Sequence, residues 1–317
     1  MNPLQNAVLA TLAFFDQQNY PLTVQEIQQW LIRREQIDLP TEPPTLSTLE
    51  DLLHQLPQVS TWRGFYFLHK SESVQARAEE LVAERLRRYD IAERKWQILL
   101  PKVKTISVLP FVRAVFVVNT LAWSHARADS DVDLCIITEP GHIWTARQLV
   151  TGWAALKRDR PSPTREANTL CLSLYLTADQ LGFQPVMVNA EDVHLGIWLA
   201  QFHPVYDPHN LHRKLWQANP WMQQLLPYAQ PVVPEYRRKE GTSDTRRFVQ
   251  RALEVVQPAA VDRTFKRLQM RIMPTHLQQL ANTPGVVISD SMLKFHDKDP
   301  RKRLYLEWTN HLNELTA

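Results

Sequence analysis

Three apolar segments in the middle of the chain constrain its fold most strongly. Residues 112–118 form a continuous apolar run, broken only by Arg113, and residues 131–138 and 170–176 form two further segments of similar length. Short apolar runs rich in β-branched residues are typical of strands that are buried on both faces of a sheet. A helical pattern lies between the second and third segments. We therefore predict an α+β fold with a small sheet at its core, spanning residues 105–180.

The scarcity of glycine excludes the commonest nucleotide-binding loops. The chain of 317 residues contains only seven glycines, and no two of them lie within ten residues of each other. Glycine-rich phosphate loops need two or three glycines within a few residues, because the backbone must approach the phosphate closely. A P-loop or a dinucleotide-binding fingerprint cannot be formed, so a kinase, a GTPase or a Rossmann dehydrogenase of the usual kind is not expected.

Charge and cysteine content predict a cytoplasmic protein. The formal net charge is +3, so any contact with nucleic acid must come from a local patch. The two cysteines, Cys135 and Cys171, are too few for a disulfide framework and fall on predicted strands, where we expect small buried hydrophobic residues. No basic residue precedes Arg33, and no apolar run approaches the ~18 residues of a membrane span. Neither a signal peptide nor a membrane partner is therefore expected.

Residues 1–72 have the element order of a winged-helix domain. After a first amphipathic helix, capping-box sequences at residues 23–26 and 47–50 predict the starts of two more helices. The dipeptide Arg63-Gly64 between two apolar runs predicts a β-hairpin. Three helices followed by a hairpin is the winged-helix order.

Two largely helical regions complete the predicted organisation. Residues 73–104 are dense in charge and predict a solvated connecting helix. Residues 181–317 predict a mostly helical C-terminal domain with a short strand near Val286–Ile288. Within the winged-helix region, the helix over residues 48–56 carries Glu50 and Asp51 and no Lys or Arg. An acidic helix in the major groove would repel the DNA backbone. Sequence-specific DNA binding is therefore not expected, and we predict that this domain acts as a scaffold or contacts a protein partner.

Asp131 and Asp133 open the second predicted strand. Residues i and i+2 of a strand point to the same face, so the two carboxylates lie side by side near the strand's start. Two like charges this close repel each other unless a cation lies between them. Mg²⁺ typically combines one or two carboxylates with substrate phosphates. The pair is therefore a candidate magnesium site; the alternative is a solvated strand entry.

The segment VFVVNTLAWSHARADSDVDLCIIT resembles the core motif of the polymerase-β-like nucleotidyltransferases. That motif is a strand, a Gly-Ser turn, a spacer, and Asp-x-Asp on the next strand. Further segments resemble bacterial and archaeal nucleotidyltransferase-domain proteins of this length, so the resemblance covers most of the chain: YPLTVQEI, PFVRAV, CLSLYL, NPWMQQLLP and LKFHDKDPRKR.

The resemblance implies a mixed-sheet nucleotidyltransferase core and a set of site residues. Asp131 and Asp133 would hold Mg²⁺ and be catalytic, and Asn119-Thr120 would face the phosphates of a nucleoside triphosphate. Lys294 and His296, in the segment LKFH, would be further substrate contacts. The implied reaction moves a nucleoside monophosphate from the triphosphate to a hydroxyl acceptor that the sequence does not identify.

Two departures from the family pattern bear on activity. The Gly-Ser of the family is Asn119-Thr120 here; Asn is among the non-glycine residues that best tolerate positive φ, and Thr keeps the hydroxyl. The strand that should carry a third carboxylate, residues 170–176, contains no Asp or Glu, and Ser173 is its one clearly polar inward candidate. A loop carboxylate could substitute, and the sequence leaves four candidates open: Glu166, Asp179, Glu191 and Asp192.

Two functions of different class follow from these observations. The first is a Mg²⁺-dependent nucleotidyltransferase that acts by in-line displacement. The second is a degenerate, non-catalytic domain of the same fold that binds a nucleotide, a nucleic acid or a protein partner. A missing third carboxylate would remove a metal ligand and a base together.

Overall fold

The protein has an α+β fold, as predicted, in which helices surround two sheets. The fold is described from a computed structural model, which covers residues 2–34, 38–69, 74–162, 164–241, 243–255 and 260–316. The polypeptide runs through a small N-terminal sheet, a long helix, and a larger sheet to which distant parts of the chain contribute strands.

The N-terminal region contains three helices and a three-stranded antiparallel sheet. Its elements are α1 (Pro3–Asp16), β1 (Leu22–Thr23), α2 (Val24–Gln29), α3 (Leu46–Gln55), β2 (Val59–Trp62) and β3 (Phe65–Leu68). The strand order is β1-β3-β2. Arg63 and Gly64 form the hairpin turn with positive φ values of 50° and 80°, which matches the twist of the flanking strands.

The two predicted capping boxes have different outcomes. Thr23 caps α2, and its reciprocal partner is Glu26, as predicted. The prediction of a capping box at residues 47–50 is wrong, because the N-cap of α3 is Thr45 and not Ser47. The Thr45 hydroxyl accepts a hydrogen bond from the amide of Thr48. The chain leaves the proline-rich loop in an extended conformation at Thr45, so Ser47 already lies in the first helical turn.

Helix α4 (Val74–Ile106) is longer and more buried than the sequence indicated. It continues through Pro101, although proline lacks the amide that a helix interior needs. Trp96, Leu99 and Val103 are buried in a core shared with the larger sheet, and this packing supports the helix on both sides of the proline. The prediction of a solvated connecting helix is therefore wrong for its second half.

In the described part of the chain, neither α4 nor any other helix is long and apolar enough to cross a membrane.

The central region supplies the predicted strands and two helices. They are β4 (Val112–Val117), α5 (Asn119–Ala122), β5 (Val132–Thr138), α6 (Ile143–Leu156) and β6 (Leu170–Thr177). Strand β5 is parallel to β6 and antiparallel to β4.

The C-terminal region is not purely helical. Its helices and strands are α7 (Val193–Ala200), β7 (His203–Tyr206), α8 (Leu211–Ala218), α9 (Trp221–Leu225), α10 (Asp244–Val255), α11 (Ala260–Ile272), α12 (Thr275–Gln279), β8 (Val286–Ile288), β9 (Met292–Phe295) and α13 (Arg301–Thr316). Strands β7, β8 and β9 join the central strands in one mixed six-stranded sheet with the order β7-β4-β5-β6-β9-β8. The predicted boundary at residue 180 therefore does not separate a helical domain from the sheet.

The larger sheet is buried on both faces. Phe116, Cys135 and Leu174 belong to a core that includes α7 and the N-terminal helices, whereas Val115 and Ile136 belong to a core with α4 and α6. This alternation follows from the two-residue repeat of a strand. Helix α13 also packs on α1, where the indole Nε1 of Trp308 donates a hydrogen bond to the carbonyl of Ala10. The two ends of the chain are thus joined directly.

Candidate functional site

A cavity of about 490 Å³ lies between α1, α5, α7 and the segment that runs from β9 into α13. Its lining includes all six residues that the sequence predicted for the site: Asn119, Thr120, Asp131, Asp133, Lys294 and His296. The fold therefore brings three separate segments of the chain together at one place.

The two aspartates lie at the start of β5. Asp131 directly precedes the strand, and Asp133 is opposite Cys171 of the parallel strand β6. One carboxylate oxygen of each aspartate and the Sγ atom of Cys171 all lie within 4.8 Å of one another. Burial and the charge of Asp133 raise the pKa of Asp131 to about 6. Burial also raises the pKa of Asp133, while hydrogen bonds with Asn119 and Cys171 oppose that shift.

A buried lysine of α4 lies near this pair. Lys95 Nζ donates hydrogen bonds to the carbonyl of Ser130 (2.5 Å) and to Oδ1 of Asn168 (3.1 Å), and its charge opposes the rise in the pKa of Asp131. The sequence-based prediction did not include Lys95, because it placed α4 in solvent. The signal was its position beside Trp96 on the buried face of that helix.

Asn119 has the backbone conformation predicted for the family's glycine. Its φ is +58°, in the left-handed region. Its Oδ1 accepts a hydrogen bond from the indole Nε1 of Trp198 on α7 over 2.5 Å, and its side chain also bonds Asp133. Thr120, the next residue, is exposed and lines the cavity. Asn119 therefore connects α7 to the aspartate pair.

Strand β6 places a thiol and a hydroxyl where the family pattern has a carboxylate. Cys171 Sγ donates a hydrogen bond to Ser173 Oγ (3.4 Å), and Ser173 Oγ lies 3.3 Å from Nε2 of His296. Ser173 thus points toward the site, as predicted. Cys135 is buried as expected, but Cys171 is only half-buried. Burial and the charge of Asp133 raise the pKa of the Cys171 thiol to about 12.

None of the four loop carboxylates lines the cavity. Glu166 is exposed, and its charge contributes to the raised pKa of Asp131. Asp192 caps α7 and forms an ion pair with Arg301, so its carboxylate is occupied by these structural contacts. Asp179 is exposed and Glu191 is half-buried, and both lie outside the cavity lining. The part of the chain that the structure describes therefore brings no third carboxylate to Asp131 and Asp133.

Lys294 and His296 lie on β9 and just after it. Lys294 is buried, and its Nζ donates hydrogen bonds to the carbonyls of Pro284 (2.7 Å) and Gly285 (3.3 Å). Burial and the charge of Arg301 lower the pKa of Lys294 to about 8. Burial, with a smaller effect from Lys294, lowers the pKa of His296 to about 4, so the imidazole is neutral at pH 7.

The segment after β9 adds further charged residues to the site. Lys298 is exposed at the cavity, and Arg301 bonds both Asp299 and Asp192. Burial acts to raise the pKa of Asp299, but the hydrogen bonds and charge of Arg301 outweigh it and hold that pKa at about 2. The clustered charges of the sequence DKDPRKR were the signal for this part of the site.

Aromatic side chains and the first helix form the remaining wall. Phe14, Trp123, His194 and Trp198 line the cavity. His194 Nε2 lies 3.1 Å from Oε1 of Gln17, the C-cap residue of α1. The sequence carried no signal that α1 reaches this site, because the contact depends on how the two ends of the chain pack together.

The ligand atoms of Asp131, Asp133 and Cys171 suit Mg²⁺ only in part. Two adjacent carboxylates with raised pKa values fit a hard divalent cation, whose charge would relieve their repulsion. The Cys171 thiol does not fit, because Mg²⁺ takes oxygen ligands. A magnesium ion would therefore bind through Asp131 and Asp133 and complete its shell with water and phosphate oxygens.

Comparison of the chain with protein-family models, with curated proteins and with solved structures gives no match. The resemblance carried by residues 115–138 therefore stays a prediction.

Proposed function

We propose that the protein is a Mg²⁺-dependent nucleotidyltransferase of the polymerase-β-like type, which moves a nucleoside monophosphate from a triphosphate to a hydroxyl acceptor. The observation that supports this function best is the meeting of Asp131, Asp133 and the Asn119-Thr120 turn in one cavity. A volume of about 490 Å³ also lies within the range of about 300–1,000 Å³ that is usual for small-molecule sites.

In this proposal Asp131 and Asp133 hold the metal. A magnesium ion held there would supply positive charge that stabilises the phosphates of the triphosphate. The aspartates can take this role because their carboxylates are adjacent, half-buried and raised in pKa. In the transfer, the acceptor oxygen bonds to the α-phosphorus as the bond to the pyrophosphate oxygen breaks. Because the described residues bring no third carboxylate to the pair, the hydroxyl proton would pass to solvent water.

The other lining residues would position the triphosphate. The hydroxyl of Thr120 is exposed to the cavity and can donate a hydrogen bond to a phosphate oxygen. Lys298 is better placed than Lys294 to meet a phosphate charge, because the Lys294 ammonium already bonds two carbonyls. The rings of Trp123 and Trp198 offer apolar faces for a nucleobase.

The test is nucleotidyl transfer by the full-length protein. Each of the four labelled ribonucleoside triphosphates is incubated with Mg²⁺ and candidate acceptors: RNA ends, protein hydroxyls and small alcohols. We expect label transfer with pyrophosphate release in the wild type, and background levels in the double variant Asp131→Asn, Asp133→Asn. Asp129→Asn is the matched control, because Asp129 is exposed and paired with Arg127. Equal incorporation by the double variant would show that these residues are not the site.

A second candidate function is a non-catalytic nucleotide-binding domain. It is favoured by β6, which carries Cys171 and Ser173 in place of a carboxylate. Calorimetric titration of ATP, GTP, CTP and UTP separates the two functions. Mg²⁺-dependent binding supports the enzyme, whereas binding without Mg²⁺ dependence supports the second candidate.

A further inference from the structure

A cysteine lies beside the two aspartates of the candidate metal site. Cys171 and Asp133 are opposite each other on the neighbouring parallel strands β6 and β5. The Sγ atom and one oxygen from each of Asp131 and Asp133 lie within 4.8 Å of one another. Because backbone hydrogen bonds join the two strands, the sheet holds the three ligand atoms close to one another.

The charge balance of this cluster indicates that it needs a cation. Among the described residues, no ion pair joins a Lys, Arg or His side chain to Asp131 or Asp133 within 4.0 Å. The nearby Lys95 instead donates its hydrogen bonds to Ser130 and Asn168. Two half-buried carboxylates without a partner cation repel each other, and a divalent ion between them removes that cost.

The identity of the third ligand decides which cation suits the cluster. Thiolate ligands favour Zn²⁺ and other borderline or soft ions, whereas Mg²⁺ favours oxygen alone. Zn²⁺ commonly takes three protein ligands with a fourth position left for water or substrate. Asp131 and Asp133 line the cavity, so water or substrate in it can reach a metal held by them.

We propose that Asp131, Asp133 and Cys171 form a three-ligand site that binds Zn²⁺ or Co²⁺ in preference to Mg²⁺ when no nucleotide is present. This inference rests on the metal site of the proposed function and names the class of ion that the site selects. On binding, the Cys171 thiol releases its proton to solvent as the sulfur–metal bond forms. A bound triphosphate, by contrast, supplies oxygen ligands and favours Mg²⁺ on the same aspartates.

Cobalt spectroscopy on the full-length, metal-free, reduced protein tests the proposal. Cysteine thiolate bound to Co²⁺ gives an intense near-ultraviolet charge-transfer band, which oxygen ligands do not produce. We expect this band in the wild type, its displacement by one equivalent of Zn²⁺, and its persistence in a large excess of Mg²⁺. Cys171→Ser should abolish the band. Cys135→Ser should retain it, because Cys135 is fully buried among apolar residues and is the only other cysteine.

A wild-type protein without the band, or a Cys171→Ser protein with an unchanged band, would overturn the proposal. Should the Cys171→Ser chain fail to fold, alkylation of the wild type serves instead. Zn²⁺ should protect Cys171 from a thiol reagent and Mg²⁺ should not; equal labelling with both ions counts against the site. None of these measurements uses nucleotide. A cobalt band without nucleotidyl transfer therefore contradicts the proposed function alone, and transfer without the band contradicts the metal inference alone.

Discussion

The indole Nε1 of Trp198 donates a hydrogen bond to Oδ1 of Asn119 over 2.5 Å. This bond joins α7 to a residue whose φ is +58° and whose side chain also bonds Asp133. A position that usually needs glycine for its backbone angle is thus occupied by a residue that uses its side chain to hold the site together.

Substitutions of Asn119 should separate its backbone role from its side-chain role. Both Asn119→Gly and Asn119→Ala remove the hydrogen bonds, at about 1 kcal/mol each. Alanine keeps a Cβ in the left-handed region, which costs about 1–2 kcal/mol relative to glycine. We therefore expect Asn119→Ala to unfold in less urea than Asn119→Gly. Equal stability of the two variants would mean that the backbone relaxes out of the left-handed region.

Asp131 should make the metal-free protein less stable as the pH rises. Its folded-state pKa of about 6 is above the ordinary value of 3.8, so the folded protein binds this proton more tightly than the unfolded chain. Its contribution to stability is therefore lost as the pH rises from about 4 to 6. Asp131→Asn should raise the free energy of unfolding at pH 7 by about 1–2 kcal/mol after solvent screening, with no gain near pH 4. Asp129→Asn is the control, and denaturant unfolding in chelator is the measurement.

Buried histidines should destabilise the protein in acid. Burial lowers the pKa of His212 from 6.5 to about 4, and burial with the charge of Arg238 does the same for His203. Below pH 6.5 these histidines are protonated in the unfolded chain but stay neutral in the folded protein. The free energy of unfolding therefore falls until the pH reaches about 4. His212→Gln should reduce the slope of unfolding free energy against pH by up to about 1.4 kcal/mol per pH unit. The same change at exposed His54 controls for the substitution.

The ion pair between Asp192 and Arg301 should be essential for the wall of the cavity formed by α7 and α13. The two charges are 2.7 Å apart, and their side chains are only 1% and 10% exposed. Arg301→Met leaves the Asp192 carboxylate buried without its partner, which should cost about 3–5 kcal/mol. Adding Asp192→Asn removes that charge while keeping an oxygen to cap α7, so the double variant should be more stable than Arg301→Met. Chemical denaturation of the variants measures this, and additive losses would show that the two charges are not coupled.

Local sequence determined the parts of the fold that depend on neighbouring residues. The apolar run over 112–118, the Arg63-Gly64 turn and the Thr23 cap appear in the structure because strand burial, positive φ and helix capping are settled within a few residues. The same is true of the positive φ at Asn119. The pairing of Asp131 with Asp133 also follows from the two-residue repeat of a single strand.

The packing of distant segments determines which residues contact these local elements. Strands β7 and β9 have only four residues each, so their patterns are too short to predict, whereas β8 is the short strand expected near Val286–Ile288. Pairing with the larger sheet defines all three. The same long-range packing sets Cys171 beside Asp133, buries Lys95 and brings α1 to the cavity. The sequence alone therefore determined that two carboxylates stand together at the start of a strand. Only the packing of distant segments decided that their third neighbour is a thiol, because register between strands is a property of the folded sheet.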